Sequence, residues 1–132
     1  MPVHPGAAKP FCREVAHAHD IHGKTGLDGT THLPEPDAKA IERPNAVLAM
    51  RHALLSEPKH SAWLVATGTL TNVALLFAVF PETIEHLKGL SIMGGAIGGG
   101  FTAAPMGKVA GEGERFGNWT PWAEFNIYVS GF

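Results

Sequence analysis

The sequence predicts an α/β fold, a partial open parallel sheet with flanking helices, on three observations. Two short apolar runs, AWLVA at 62–66 and GLSIM at 89–93, have the length and composition of strands buried on both faces. Between them, TNVALLFAVF keeps helical spacing. Strand, helix and strand between residues 62 and 93 make a βαβ unit, so the strands run parallel and the crossover is right-handed.

Taken in order, residues 1–43 are rich in Pro, Gly and His and show little apolar periodicity. They predict loops without clear elements, and loops of that length are often functional. PNAVLAMRHALLSE is the first helix. Pro44 suits its first turn, Val47, Leu48, Leu54 and Leu55 mark its apolar stripe, and Pro58 ends it. After the first strand, Thr67-Gly68 turns the chain, and Thr69 or Thr71 is the candidate N-cap of the next helix. Pro81 opens a second short helix that ends near Lys88-Gly89. Residues 94–117 read as a glycine-rich loop, and NWTPWAEFN at 118–126 returns to the same rim. The chain therefore divides into a loop region at 1–43, a helix and βαβ unit at 44–93, and a loop with a polar segment at 94–132, all within one partial domain of 132 residues. Ligands of open α/β sheets bind beyond the carboxyl ends of the strands. The turns Thr67-Gly68 and Gly94-Gly95 should lie there side by side.

Composition narrows the function. With 45% hydrophobic and 17% charged residues the chain is neither a disordered tail nor a membrane protein. A net charge of −2 gives no basic field for nucleic acid. The one cysteine, Cys12, has no internal partner, which favours a reducing compartment. The first residues carry no signal-peptide pattern, and no apolar run reaches the roughly 18 residues of a membrane span. A cytoplasmic protein is expected.

Several motifs bear on chemistry. GGAIGGG at 94–100 follows a predicted strand, but its glycines lack the spacing of a dinucleotide fingerprint. Gly107-Lys108 does not complete a phosphate loop either, because Thr102 stands where Gly is required and Val109 where Ser or Thr is. His17, His19 and His22 match no standard zinc spacing and read as a solvated loop. In DIHGKTGLDG, Gly23, Gly26 and Gly29 alternate with Asp20, His22 and Asp28. Such a loop either faces a site or is plain surface, and the pattern leaves both open. In NWTPWAEFN, an extended backbone would point Glu124 and Asn126 to one face and Phe125 to the other. With Asn118 they offer donors and acceptors suited to a ligand bearing several hydroxyls. A capped loop packed by Trp119, Trp122 and Phe125 is the competing reading.

VATGTLTNVALLF at 65–77, SIMGGA at 91–96, NWTPWAEFNIYV at 118–129 and DIHGKTGLDG at 20–29 together resemble the inosine–uridine-preferring nucleoside hydrolases, as a central, eukaryotic-like fragment of that fold. The longer stretch between Met93 and Asn118 is similar to a loop insertion of eukaryotic members. The resemblance implies hydrolysis of the N-glycosidic bond of a ribonucleoside, with a calcium ion that binds ribose and the attacking water. It matches Thr67 to a backbone-carbonyl calcium ligand and Met93 to the lining of the ribose pocket. Asn118, Glu124 and Asn126 match the residues that grip ribose hydroxyls, and His22 a mobile-loop residue near the nucleobase. It also implies a homo-oligomer.

No catalytic residue is carried over. The family's N-terminal aspartate cluster has no counterpart, since the aspartates are only Asp20, Asp28 and Asp37. Nor is there a counterpart of its C-terminal His-Asp pair, and Ser130 stands where the family pattern has Asp. The expectation is a chain inactive alone. The alternatives are a non-catalytic nucleoside- or ribose-binding remnant and an unstable fragment.

Overall fold

A computed structural model describes residues 1–15, 17, 19–27, 32–95, 105–109, 113–116 and 124–130. Its centre is the βαβ unit read from the sequence. Strand β1 (Trp63–Ala66) pairs in parallel with β2 (Gly89–Ile92), from Trp63 opposite Gly89 to Ala66 opposite Ile92. The Lys88 N–H donates to Ala62 C=O and the Met93 N–H to Ala66 C=O, both at 2.8 Å, so the pairing runs on into both flanks.

Helix α1 is a single turn (His19–His22), an element the loop reading of residues 1–43 did not anticipate. Helix α2 (Ala46–Ser56) starts one step later than Pro44 suggests. Asn45 is extended, with φ −66° and ψ 168°, and its side chain accepts from the Leu48 N–H at 3.0 Å. An N-cap amide satisfies an otherwise orphan donor, which outweighs the preference of Pro44 for the first turn. The buried stripe is Val47, Met50 and Leu54, whereas Leu48 faces solvent.

Helix α3 (Thr71–Val79) has Leu70 at its N-cap and no side-chain cap, so neither Thr69 nor Thr71 does that work. Helix α4 (Glu82–His86) follows Pro81, and the buried Thr83 hydroxyl donates to Phe80 C=O at 2.7 Å. Leu54, Leu76 and Leu87 form the core, packed by Val47, Met50, Ala62, Leu64, Phe77 and Phe80. Each fully buried leucine contributes about 1.5–3 kcal/mol by removal of apolar surface from water. Arg51 ties α2 to α4 through a 2.9 Å ion pair with Glu82, and its guanidinium lies 4.8 Å from the Phe80 ring centre.

The strands are not buried on both faces. Leu64 turns toward the core, while Trp63 and Val65 on the opposite face are 56% and 62% exposed. The first run is therefore half-buried, whereas Leu90 and Ile92 of β2 are each 42% exposed and the second run is largely uncovered among the described residues. The Trp63 ring lies against β2 so closely that a Cβ on Gly89 would sit 2.6 Å from it, so a larger residue there would require the exposed ring to shift.

Within the stretch read as a loop at 94–117, β3 (Pro105–Val109) and β4 (Gly113–Phe116) form an antiparallel pair with an irregularity near Gly107. Residues 3–7 are held against the starts of α2 and α3. Val3 C=O accepts from the Ile41 N–H at 2.8 Å, and the Ala7 N–H donates to the Asn72 side chain at 2.8 Å.

Candidate functional site

The carboxyl ends of β1 and β2 are adjacent, so Thr67 and Met93 emerge side by side, as a parallel pair requires. Thr67 is exposed, and Met93 is 59% exposed. Helix α5 (Phe125–Ser130) packs onto this end of the sheet. The segment expected to be extended is helical from Phe125, because the Glu124 carboxylate caps it. Glu124 Oε1 accepts from the Asn126 N–H and Oε2 from the Ile127 N–H, both at 3.1 Å. The Tyr128 N–H closes the first turn onto Glu124 C=O at 2.8 Å.

The same carboxylate reaches the turn after β2, where Oε2 accepts from the Gly95 N–H at 3.1 Å. Gly95 has φ +78°, a left-handed conformation that glycine adopts without strain. Asn126 makes the second tie. Its Nδ2 donates to Met93 C=O at 2.5 Å. The third is Ser130, fully buried, whose hydroxyl donates to Asn126 C=O and accepts from the Leu70 N–H at 2.6 Å. Glu124 and Asn126 are 9% and 7% exposed. Three polar side chains thus anchor one short helix, two to the turn after β2 and one to the start of α3, and each bond offsets part of the cost of burial.

A cavity of about 380 Å³ is lined by His17, His19, His22, residues 23–26 and Phe125 at the start of α5. Gly23 and Gly26 have φ +66° and +78°, so two of the three regularly spaced glycines serve turns that disfavour a side chain. The His17 and His19 rings stack at 5.3 Å. Arg13 lies 4.6 Å over the Tyr128 ring.

The structure therefore brings together Met93, Glu124 and Asn126, with Thr67 on the neighbouring turn and His22 lining the same cavity as Phe125. Asn118, Asp28 and Gly29 lie outside the described residues. Sequence reasoning missed Ser130 and the amides of Leu70 and Gly95. The signal for Ser130 was its helical spacing from Asn126, visible only if 125–130 is read as a helix.

A calcium ion takes about six to eight oxygen ligands. Among the described residues no cluster of three or more His, Cys, Asp or Glu exists to hold a metal ion. The Thr67 carbonyl alone does not fit such an ion.

Polar side chains thus gather beyond the carboxyl ends of two parallel strands, the end at which open α/β sheets bind their ligands. The family model of the inosine-uridine preferring nucleoside hydrolases matches residues 1–130, and the chain belongs to that family. It is 44% identical over 129 residues to the pyrimidine-specific ribonucleoside hydrolase RihA of Klebsiella pneumoniae, covering 98% of this chain and 35% of that one. The RihA of Shewanella woodyi is 40% identical over 131 residues, with the same coverage. An uncharacterized protein of Schizosaccharomyces pombe is 42% identical over 128 residues, covering 96% of this chain and 33% of its own. The chain spans about a third of the length of the curated relatives it matches.

Proposed function

We propose that this chain supplies the ribose-binding part of a hydrolase that splits a ribonucleoside into ribose and free base. The observation that carries the reading is the buried pair Glu124 and Asn126, held beside Met93 at the carboxyl ends of two parallel strands. The names of the RihA relatives favour a pyrimidine ribonucleoside as substrate.

In this reading Asn126 offers its side-chain oxygen and second N–H to ribose hydroxyls, Asn118 adds a second amide, and Met93 gives the sugar an apolar wall. Loss of the base leaves an oxocarbenium-like ribosyl group, and hydrogen bonds that strengthen in that state lower the barrier. The cavity between His22 and Phe125 is the proposed place of the base. The Thr67 carbonyl would offer a calcium ion one of the several oxygens it needs, and such an ion would orient ribose and water. A soluble cytoplasmic homo-oligomer that binds neither nucleic acid nor membrane belongs to the same proposal. The net charge of −2 supports the exclusion of nucleic acid and the free Cys12 a reducing compartment, while the homo-oligomer rests on the family resemblance alone.

The 132 residues by themselves are proposed to bind the sugar weakly and not to turn it over, since their three aspartates do not form a cluster in the sequence. The test is an NMR titration of the isotope-labelled chain with uridine in the presence of calcium. Shifts should gather at Met93, Gly95 and the Asn126 side-chain amide, with a Kd of about 1 mM or weaker, worth about 4 kcal/mol or less. Shifts confined to other regions, or ribose released by the chain alone, would contradict the reading.

A further inference from the structure

Glu124 is three residues from Ile127 in sequence but 29 from Gly95, and its carboxylate bonds both. A carboxylate offers about four lone-pair positions. Three are taken by backbone N–H groups: those of Gly95 and Ile127 on Oε2, and that of Asn126 on Oε1. Hydrogen bonds to an ionised acceptor are the stronger kind. Together they fix the turn after β2 to the first turn of α5. At most one lone pair remains for a substrate hydroxyl.

The geometry points to Glu124 as a positioning residue, a clasp whose work is to hold the Met93–Gly95 turn against α5. It acts on the sugar through Met93 and Asn126 rather than as the principal grip. The inference deepens the ribose reading and rests on it for what is being positioned. Gly95 is the matching half, because its left-handed backbone belongs to the turn whose N–H meets the carboxylate. Asn126 then carries the adaptable contacts, since among the described residues only one of its amide N–H groups is spent, on Met93 C=O.

Two substitutions separate the clasp from the helix cap. Aspartate is itself a good N-cap but is one methylene shorter, so Glu124→Asp should keep the Asn126 and Ile127 bonds and lose the reach to Gly95. Glutamine replaces one acceptor oxygen with a donor, so Glu124→Gln cannot satisfy all three amides. A residue that only accepts from a substrate hydroxyl would leave all three amides indifferent to either change.

The experiment is amide hydrogen exchange on the 132-residue chain without nucleoside, with the Leu76 amide in α3 as the control for folding. Gly95 should exchange slowly in the wild type. It should exchange about tenfold or more faster in Glu124→Asp, while Ile127 keeps its protection, and in Glu124→Gln at least one of the Gly95, Asn126 and Ile127 amides should lose protection. An unprotected Gly95 in the wild type, or protection unchanged in Glu124→Asp with Leu76 intact, would overturn the clasp. If neither variant protects Leu76, the wild-type Gly95 rate decides. Because no nucleoside is present, the outcome is separate from the uridine titration: a protected Gly95 with no uridine response retains the clasp and removes the ribose reading.

Discussion

The two halves of this molecule are held together by different physics. The unit from α2 to β2 is joined by apolar contact, with Leu54, Leu76 and Leu87 at its centre. Helix α5 is joined to the sheet by side-chain hydrogen bonds from Glu124, Asn126 and Ser130 to Gly95, Met93 and Leu70. Apolar burial is non-directional and tolerates small shifts, whereas a hydrogen bond loses strength quickly with distance and angle. Polar ties therefore fix the position of α5 at the carboxyl end of the sheet more closely than apolar contact would.

The comparison breaks most severely on the apolar side. Leu76 is fully buried, and Leu76→Ala should cost about 2–5 kcal/mol by removing transfer energy and leaving a cavity. A chemical denaturation curve measures it, and a loss under about 1 kcal/mol would mean that the core is not centred there.

On the polar side, Ser130→Ala strands the Leu70 N–H without a partner, at a cost of about 1–3 kcal/mol. Its signature differs in place as well as size. Amide exchange should quicken at Leu70 and through α5, while the Leu76 amide keeps its relative protection. Uniform loss across the chain would show that α5 is part of the common core.

A smaller effect sharpens the same contrast at the surface. Asn45→Ala removes the N-cap of α2 and should lower stability by about 1 kcal/mol, read from the same denaturation curves.

The smallest effect is electrostatic. The hydrogen bond from its own backbone N–H, then the Arg51 partner, hold the Glu82 carboxyl below its usual range. A depressed folded-state pKa stabilises above the unfolded value, and that contribution is lost as pH falls through the depressed value. Glu82 is fully exposed, so the effect is slight. Thermal melts of wild type and Glu82→Gln should differ slightly at neutral pH and converge in acid. A gap that widens in acid would give the opposite sign.

What the sequence revealed follows the same division. The βαβ unit was legible because AWLVA, TNVALLFAVF and GLSIM carry apolar patterns that depend on neighbours in sequence. The exposed face of Trp63 and Val65 was not, because a short apolar run looks the same whether one or both faces are covered. The β3–β4 pair was hidden by glycines and charges that break alternation. Helix α5 was missed because its cap is a glutamate, not one of the common cap residues, and its anchors lie 29 to 60 residues away. The polar residues Glu124 and Asn126 were picked out by chemistry and family resemblance; their bonding within the fold required coordinates.

The central proposal is that these residues form the ribose-facing part of a nucleoside hydrolase. The most direct measurement is ribose release from uridine by a chimera in which this chain replaces the equivalent 129 residues of the Klebsiella pneumoniae relative. The chimera should hydrolyse uridine, and Asn126→Ala within it should reduce kcat/KM by about 100-fold, equivalent to about 2.7 kcal/mol of transition-state binding. A folded chimera without turnover, or one whose rate is indifferent to Asn126→Ala, would contradict the claim.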